Sequence, residues 1–177
     1  MRIRLARGTD AAAIVQIQER GWQTAYRHVF PPEELDRGGF VDERRWRETI
    51  RRPPAGWTTF VAERDDRVIG FACLGPSRDE QGLGELFALY VDPGAWRLGA
   101  GRALIAAAER QLAREHDDAR LWVLERNDRA RRFYEASGWV PDGARKTQLR
   151  FGVAAAEVRY SKPLARTAAA GAREPGA

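Results

Sequence analysis

The chain has little cysteine, lysine or histidine. Cys73 is its one cysteine, so no intramolecular disulfide forms and thiolate zinc sites are excluded. The two histidines, His28 and His116, show no partnered acid that would give either a role, and no metal-ligand spacing occurs anywhere. No apolar run approaches the roughly 20 residues a membrane helix needs. The opening "MRIRLARGTD" has no apolar stretch of leader type, which predicts a cytoplasmic protein with no membrane contact. Only Lys146 and Lys162 are lysines, so the net charge of +5 rests on arginine. Those arginines alternate with acids, as in "VDERRWRE" and "REHDDAR". They form no basic block, which argues against a nucleic-acid surface and leaves a small polyanionic ligand open.

What remains is an ordinary globular composition: 177 residues, 44% hydrophobic and 31% charged. Residues 1–164 read as one domain, and the tail from Ala165 to Ala177, lacking apolar periodicity, reads as disordered. A strand at "RIRLAR" precedes an N-cap at Thr9 or Asp10 and a helix over 11–26. "FPPEELDRGG" breaks that helix and begins a short second one, and "VDERRWRETI" is another helical stretch. Thr58–Glu63 and Val68–Leu74 pair as a hairpin across Asp65–Arg67. A fourth strand, "LGELFALYVDP", leads into a glycine turn and a helix from Gly101 to His116. The strand "ARLWVLERN", the helix "DRARRFYEASG" and closing strands at "WVPDG", "KTQLRFGV" and "AAEVRYSKPL" complete the order. This is an α+β pattern with a mixed sheet. Residues 85–127 form a β–α–β unit with parallel strands.

The glycine turn is the most informative stretch. "DPGAWRLGAGRALIAAAE" places several N–H groups at a helix N-terminus, a ready anion site. Gly94 and Gly99 have the spacing of a nucleoside-triphosphate loop. However, Ala100 and Gly101 stand where that loop needs Lys and Ser or Thr. Gly99, Gly101 and Leu104 match a dinucleotide fingerprint in two positions of three, after the wrong strand.

The two blocks "ELFALYVDPGAWRLGAGRAL" and "LWVLERNDRARRFYEASGWVPDG" together resemble the GNAT acyltransferases. The first resembles that family's acetyl-CoA turn. The second resembles its strand ending in Asn, followed by a helix carrying Phe-Tyr-Glu. The resemblance implies the GNAT fold: a mixed, strongly twisted central sheet of about six to seven strands flanked by about four helices. It implies acetyl-CoA as co-substrate, with its pyrophosphate on the N–H groups of Arg97, Leu98, Gly99, Ala100, Gly101 and Arg102. It also implies a pantetheine arm lying along Leu89, Tyr90 and Val91, with Asn127 hydrogen-bonded to it. In one respect the turn departs from the family pattern: Trp96 stands where Gln or Arg is usual, and Arg97 comes one position late.

By the same resemblance Tyr134 is the general acid that protonates the departing thiolate. Glu85 matches the catalytic glutamate of histone-type relatives. On a regularly alternating strand it shares a mostly apolar face with Phe87, Leu89 and Val91, a setting that suits a base. Glu125 is the reserve base. The position five before Asn127, where N-terminal acetyltransferases of ribosomal proteins have glutamate, is Trp122. Cys73, in "GFACL", reads as core. The acceptor side draws on Trp22, Tyr26, His28, Phe30, Trp46 and Trp57, whose rings suit either an amine wall or core packing. The expected activity is acetyl transfer to a primary amine of a small molecule, in a ternary complex. Two alternatives stay open: a protein N-terminal or lysine acetyltransferase, and a non-catalytic acyl-CoA sensor. A homodimer is compatible with the sequence.

Overall fold

The structure is a computed structural model that describes residues 1–165. The expected disordered tail, apart from Ala165, lies outside the described residues. Seven strands form one sheet: β1 (Arg2–Leu5), β2 (Thr58–Arg64), β3 (Arg67–Pro76), β4 (Gly84–Val91), β5 (Asp118–Leu124), β6 (Val140–Arg150) and β7 (Val153–Pro163). Five helices pack against it: α1 (Ala11–Ala25), α2 (Pro32–Arg37), α3 (Glu43–Arg51), α4 (Ala100–Leu112) and α5 (Asp128–Ala136). The strand order is β1-β2-β3-β4-β5-β7-β6, antiparallel throughout except for β4 beside β5.

Local chemistry explains most of these elements. Ile14, Ile17, Gly21 and Trp22 recur at helical spacing and are the buried stripe of α1. Gly21 lets α1 lie directly on the Tyr90 ring; a Cβ there would stand 3.1 Å from Tyr90 Cδ1. On the other face, Leu104, Ile105 and Ala108 of α4 pack with Leu74, Leu86 and Leu121 of the sheet.

Several boundaries differ from the sequence reading. Asp10 does not cap α1. Its carboxylate is drawn to Arg4, 2.7 Å away, and to the Arg7 N–H, and a 3-10 turn precedes the helix instead. The segments "WVPDG" and "KTQLRFGV" form one strand, β6, with an irregularity between Pro141 and Arg145. Phe151 and Gly152, both at positive φ, make its turn into β7.

Two features of the sheet shape the functional site. The parallel pairing of β4 with β5 lasts three residue pairs, Gly84–Ala119 to Leu86–Leu121, although the strands run on to Val91 and Leu124. Beyond Leu86 they part. In addition, β4 carries a bulge: Cys73 faces Ala88 while Leu74 faces Leu86, so Phe87 is the extra residue. The bulge resets which face each side chain takes. Leu86, Leu89 and Val91 join the α4 side, whereas Ala88 and Tyr90 join the α1 side. Glu85, paired with Arg120, is thereby separated from Leu89 and Val91. The shared apolar face expected of a regular strand is not formed.

Candidate active site

Two cavities meet where β4 and β5 part. The first, about 490 Å³, is lined by Leu89–Val91, the turn from Ala95 to Arg102, and Asn127, Arg129, Phe133 and Tyr134. The second, about 520 Å³, lies on the α1 side between α3, the β6–β7 hairpin and the sheet. Tyr26, Leu89, Tyr90, Asn127, Ala130 and Tyr134 line both and form the neck between them.

The first cavity is built by the glycine turn. Asp92 Oδ1 accepts from the Gly94 N–H at 2.9 Å, and Arg20 holds the other Asp92 oxygen at 2.7 Å. Arg97 (φ 66°) and Gly99 (φ 85°) are both left-handed, which turns successive N–H groups inward. α4 then starts at Ala100, and no side chain caps its first turn. Those donors face the cavity, an arrangement that attracts an anion. Gly101 lies against the Phe133 ring; an added Cβ would be 3.3 Å from it. Leu98 and Arg102 are exposed.

Trp96 has a distinct job. Its indole N–H donates to the carbonyl of Val91 at 2.9 Å, tying the turn to the end of β4. The Arg129 guanidinium lies 3.4 Å over its ring. Burial, and then the nearby Arg97, push the Arg129 pKa down. Two cations thus converge at this end of the cavity, one from the turn and one from α5. Arg129 was not visible as a site residue in the sequence. Only its place two after Asn127, at the start of a helix following a parallel strand, hints at it.

The neck holds three tyrosines. Trp22 donates its indole N–H to Tyr90 Oη at 2.8 Å, and Asn127 Nδ2 donates to Tyr26 Oη at 3.3 Å. Asn127 also caps α5, its Oδ1 accepting from the Ala130 N–H at 3.1 Å. One Nδ2 hydrogen is left for a ligand. Tyr134 packs edge-on to Phe133 and near Trp139 while lining both cavities, so packing and exposure to the site coexist. Burial, and then Tyr90, push its pKa well up, and burial does the same at Tyr26 and Tyr90. All three stay phenols.

The carboxylates are distributed unlike the expectation. Glu85 is 1% exposed, but two arginines engage it. Arg78 reaches its Oε1 at 2.6 Å, the Arg78 N–H its Oε2 at 3.2 Å, and Arg120 Nε lies 3.8 Å from Oε2. Arg120 is itself buried and pairs further with Glu80 and Asp79. Glu125 points away, into an ion pair with Arg145. Glu85 lines the second cavity, and so does Glu157 on β7, which the sequence reading passed over.

The aromatic residues of the acceptor side are mostly engaged with one another. Trp22, Phe30, Phe40 and Phe151 form a cluster that fastens the β6–β7 turn to the loop after α1. Trp46 packs on Phe71 and Trp57 on Phe87. His28 is bonded to the Arg126 carbonyl at 2.8 Å and His116 to that of Gly82 at 3.1 Å, so both act as structural ties. Cys73 is buried, accepts from Thr59 Oγ1, and burial pushes its pKa up. Among the described residues, no cluster of His, Cys, Asp and Glu could hold a metal ion, and no helix is long and apolar enough to cross a membrane.

The model of the acetyltransferase (GNAT) family matches residues 13–139. The chain belongs to the GNAT family. It is 35% identical over 130 residues to the uncharacterized N-acetyltransferase YuaI of Bacillus subtilis, covering 71% of this chain and 72% of that one. The PaiA N-acetyltransferase of Thermoplasma acidophilum, solved in complex with coenzyme A, superposes with a TM-score of 0.71 at 20% identity. That match covers 92% of this chain and 98% of that one. The ribosomal-protein-alanine N-acetyltransferase of Brucella melitensis gives 0.72 at 26% identity, over 93% and 100%. Seven mixed strands with a parallel pair at the centre are thus the GNAT fold. The glycine turn, β4 and α5 lie within the span that the GNAT model matches.

Proposed function

We propose that this chain transfers an acetyl group from acetyl-CoA to a primary amine of a small molecule, by direct attack in a ternary complex. The observation that carries the reading is the pair of cavities joined through a neck where β4 and β5 diverge. One end offers anion-binding N–H groups and arginines; the other has the size of a small-molecule site. On this reading the pyrophosphate of acetyl-CoA binds the N–H groups of the turn Arg97–Arg102. The pantetheine arm adds itself as a strand along Leu89–Val91, where β5 has moved away, and bonds Asn127. The thioester then lies in the neck.

Two chemical needs follow. The amine must lose a proton before it attacks, and the sulfur must be stabilised as it leaves. Tyr134 serves the second need. Burial keeps its hydroxyl protonated, so it donates toward the sulfur as charge develops there. A backbone N–H of β4 polarises the thioester carbonyl.

A peptide amine is the second reading, favoured by the likeness to the Brucella enzyme. One experiment tests both: thiol release from acetyl-CoA across a panel of small primary amines and short peptides. Release with small amines and not with peptides supports the first reading. Release with peptides alone transfers it to the second. Binding of acetyl-CoA without release across the whole panel would make the chain a sensor rather than an enzyme.

A further inference from the structure

The amine needs a proton acceptor near the neck. Glu85 also lines the second cavity, but Arg78 and Arg120 engage it, and it pairs in register with Arg120, four residues before Leu124 on β5, or about 13 Å along the strand. Glu157 pairs in register with Leu124 itself, three residues before Asn127, level with the end of β5. Its carboxylate lies on the acceptor side of β7, in the wall of the second cavity. Its Oε2 is buried and accepts no hydrogen bond, an unusual condition for a carboxylate oxygen.

The nearest cation shows what such a carboxylate attracts. Lys146, across from it on β6, holds its ammonium 3.5 Å from Oε2 and 4.1 Å over the Trp122 ring. A primary ammonium thus already lies between a carboxylate and an aromatic face inside the acceptor cavity. Its side chain is partly exposed. Other charged residues around this cavity are Arg150 on β6, which lies over Trp22, Arg159 on β7, near Trp122, and Asp42, Arg45 and Arg78 in its lining. From the end of α1 and from β4 come Tyr26 and Tyr90, which burial holds as neutral phenols, and Glu85, which Arg78 and Arg120 engage.

We propose that Glu157 binds the ammonium of the acceptor and takes its proton, acting as the general base of the reaction. This rests on the acetyltransferase reading above. The carboxylate accepts one proton, leaving a neutral amine. The nitrogen lone pair attacks the thioester carbon, the C–N bond forms, and the C–S bond breaks with its electron pair going to sulfur. The second nitrogen proton passes to that sulfur by way of Tyr134, and the carboxyl proton is released to water.

The test compares the parent, Glu157→Gln and Glu85→Gln, using acetyl-CoA and an amine that the parent acetylates. Acetyl-CoA affinity by calorimetry and melting temperature are measured for each. Glu157→Gln keeps the shape and removes the base. Turnover per amine, kcat/KM, should fall about 10²-fold or more near pH 7, with acetyl-CoA affinity unchanged. The pH profile separates chemistry from packing. Without a base, only amine already deprotonated in solution reacts, so the variant's rate should rise about tenfold per pH unit. The deficit should shrink toward the amine's own pKa, about 10.4 for a lysine-like amine. A deficit that stays constant with pH, or a larger loss in folded Glu85→Gln than in Glu157→Gln, overturns the assignment. A parent that binds acetyl-CoA yet acetylates no amine overturns the enzymatic reading instead.

Discussion

Raising the pH should unfold this protein earlier than its composition suggests, and the three tyrosines of the neck are the reason. A phenol in an unfolded chain ionises near pH 10. Burial pushes Tyr26, Tyr90 and Tyr134 above that in the folded state. Above pH 10 the unfolded chain therefore binds fewer protons than the folded one, and stability falls as pH rises. For a phenol that keeps its proton when folded, the loss at pH 11 is about 1.4 kcal/mol, so the ceiling for three is about 4 kcal/mol. That is a large share of the roughly 5–15 kcal/mol typical of a domain. At this chain length it corresponds to a fall in Tm of about 8–16 °C between pH 9 and pH 11. Cys73, whose thiol burial also pushes up, adds in the same direction. The window is unusually clean because the chain has only two lysines and its arginines stay charged. The assay is Tm against pH, with near-ultraviolet phenolate absorbance of the folded protein. Tyr134→Phe removes one of the three groups and should recover about 1.4 kcal/mol at pH 11. An equal alkaline slope in parent and Tyr134→Phe, or phenolate appearing near pH 10 before unfolding, would refute the reasoning.

Other outcomes follow from the site. At pH 7–8, Tyr134→Phe should lower kcat by about 10²-fold with acetyl-CoA affinity nearly intact, because the hydroxyl acts mainly in the transition state; turnover within twofold of the parent, with chemistry rate-limiting, sinks that role. Gly101→Asp puts a carboxylate among the N–H groups of the turn and a Cβ 3.3 Å from Phe133, so acetyl-CoA affinity should collapse, and calorimetry on the folded variant decides it. Arg129→Ala removes one of the two converging cations, and a lost charge-assisted contact of about 1.5–3 kcal/mol should weaken acetyl-CoA at least tenfold. Unchanged affinity would show that the guanidinium serves only to pack on Trp96. Arg120→Ala strips a guanidinium from buried Glu85 and should cost about 3–5 kcal/mol in denaturant unfolding.

The order of elements was legible because it rests on periodicity and punctuation. Alternation marked the β2–β3 hairpin, and Pro53–Pro54 and Gly138 ended their helices. The glycine turn was legible because Gly99 needs its positive φ and the N–H groups follow from backbone alone. The carboxylates were not. The bulge at Phe87 leaves no trace in the pattern of β4, yet it decides which face Glu85 shares. Arg120 reads in sequence as one more surface arginine, and only the pairing of β4 with β5 brings it against Glu85. Glu157 and Lys146 become neighbours through the β6–β7 hairpin, whose register is set by the two-residue turn at Phe151 and Gly152.

The brevity of the β4–β5 pairing has a mechanical meaning. A sheet normally gains strength from its middle, yet here the middle is a seam, closed by three residue pairs and open beyond them. Four strands lie on one side of it and three on the other, joined across α4 and its packing. The two halves can therefore breathe about that short seam while each keeps its own hydrogen-bond ladder. A molecule that lays its amides along the open length of β4 does more than fill a groove. It stitches the halves together, and the protein's stiffness becomes a property of its complex. Hydrogen exchange would see this as slow amides in β2 and β3, faster ones on the seam side of β4, and a selective slowing of the latter when acetyl-CoA is added.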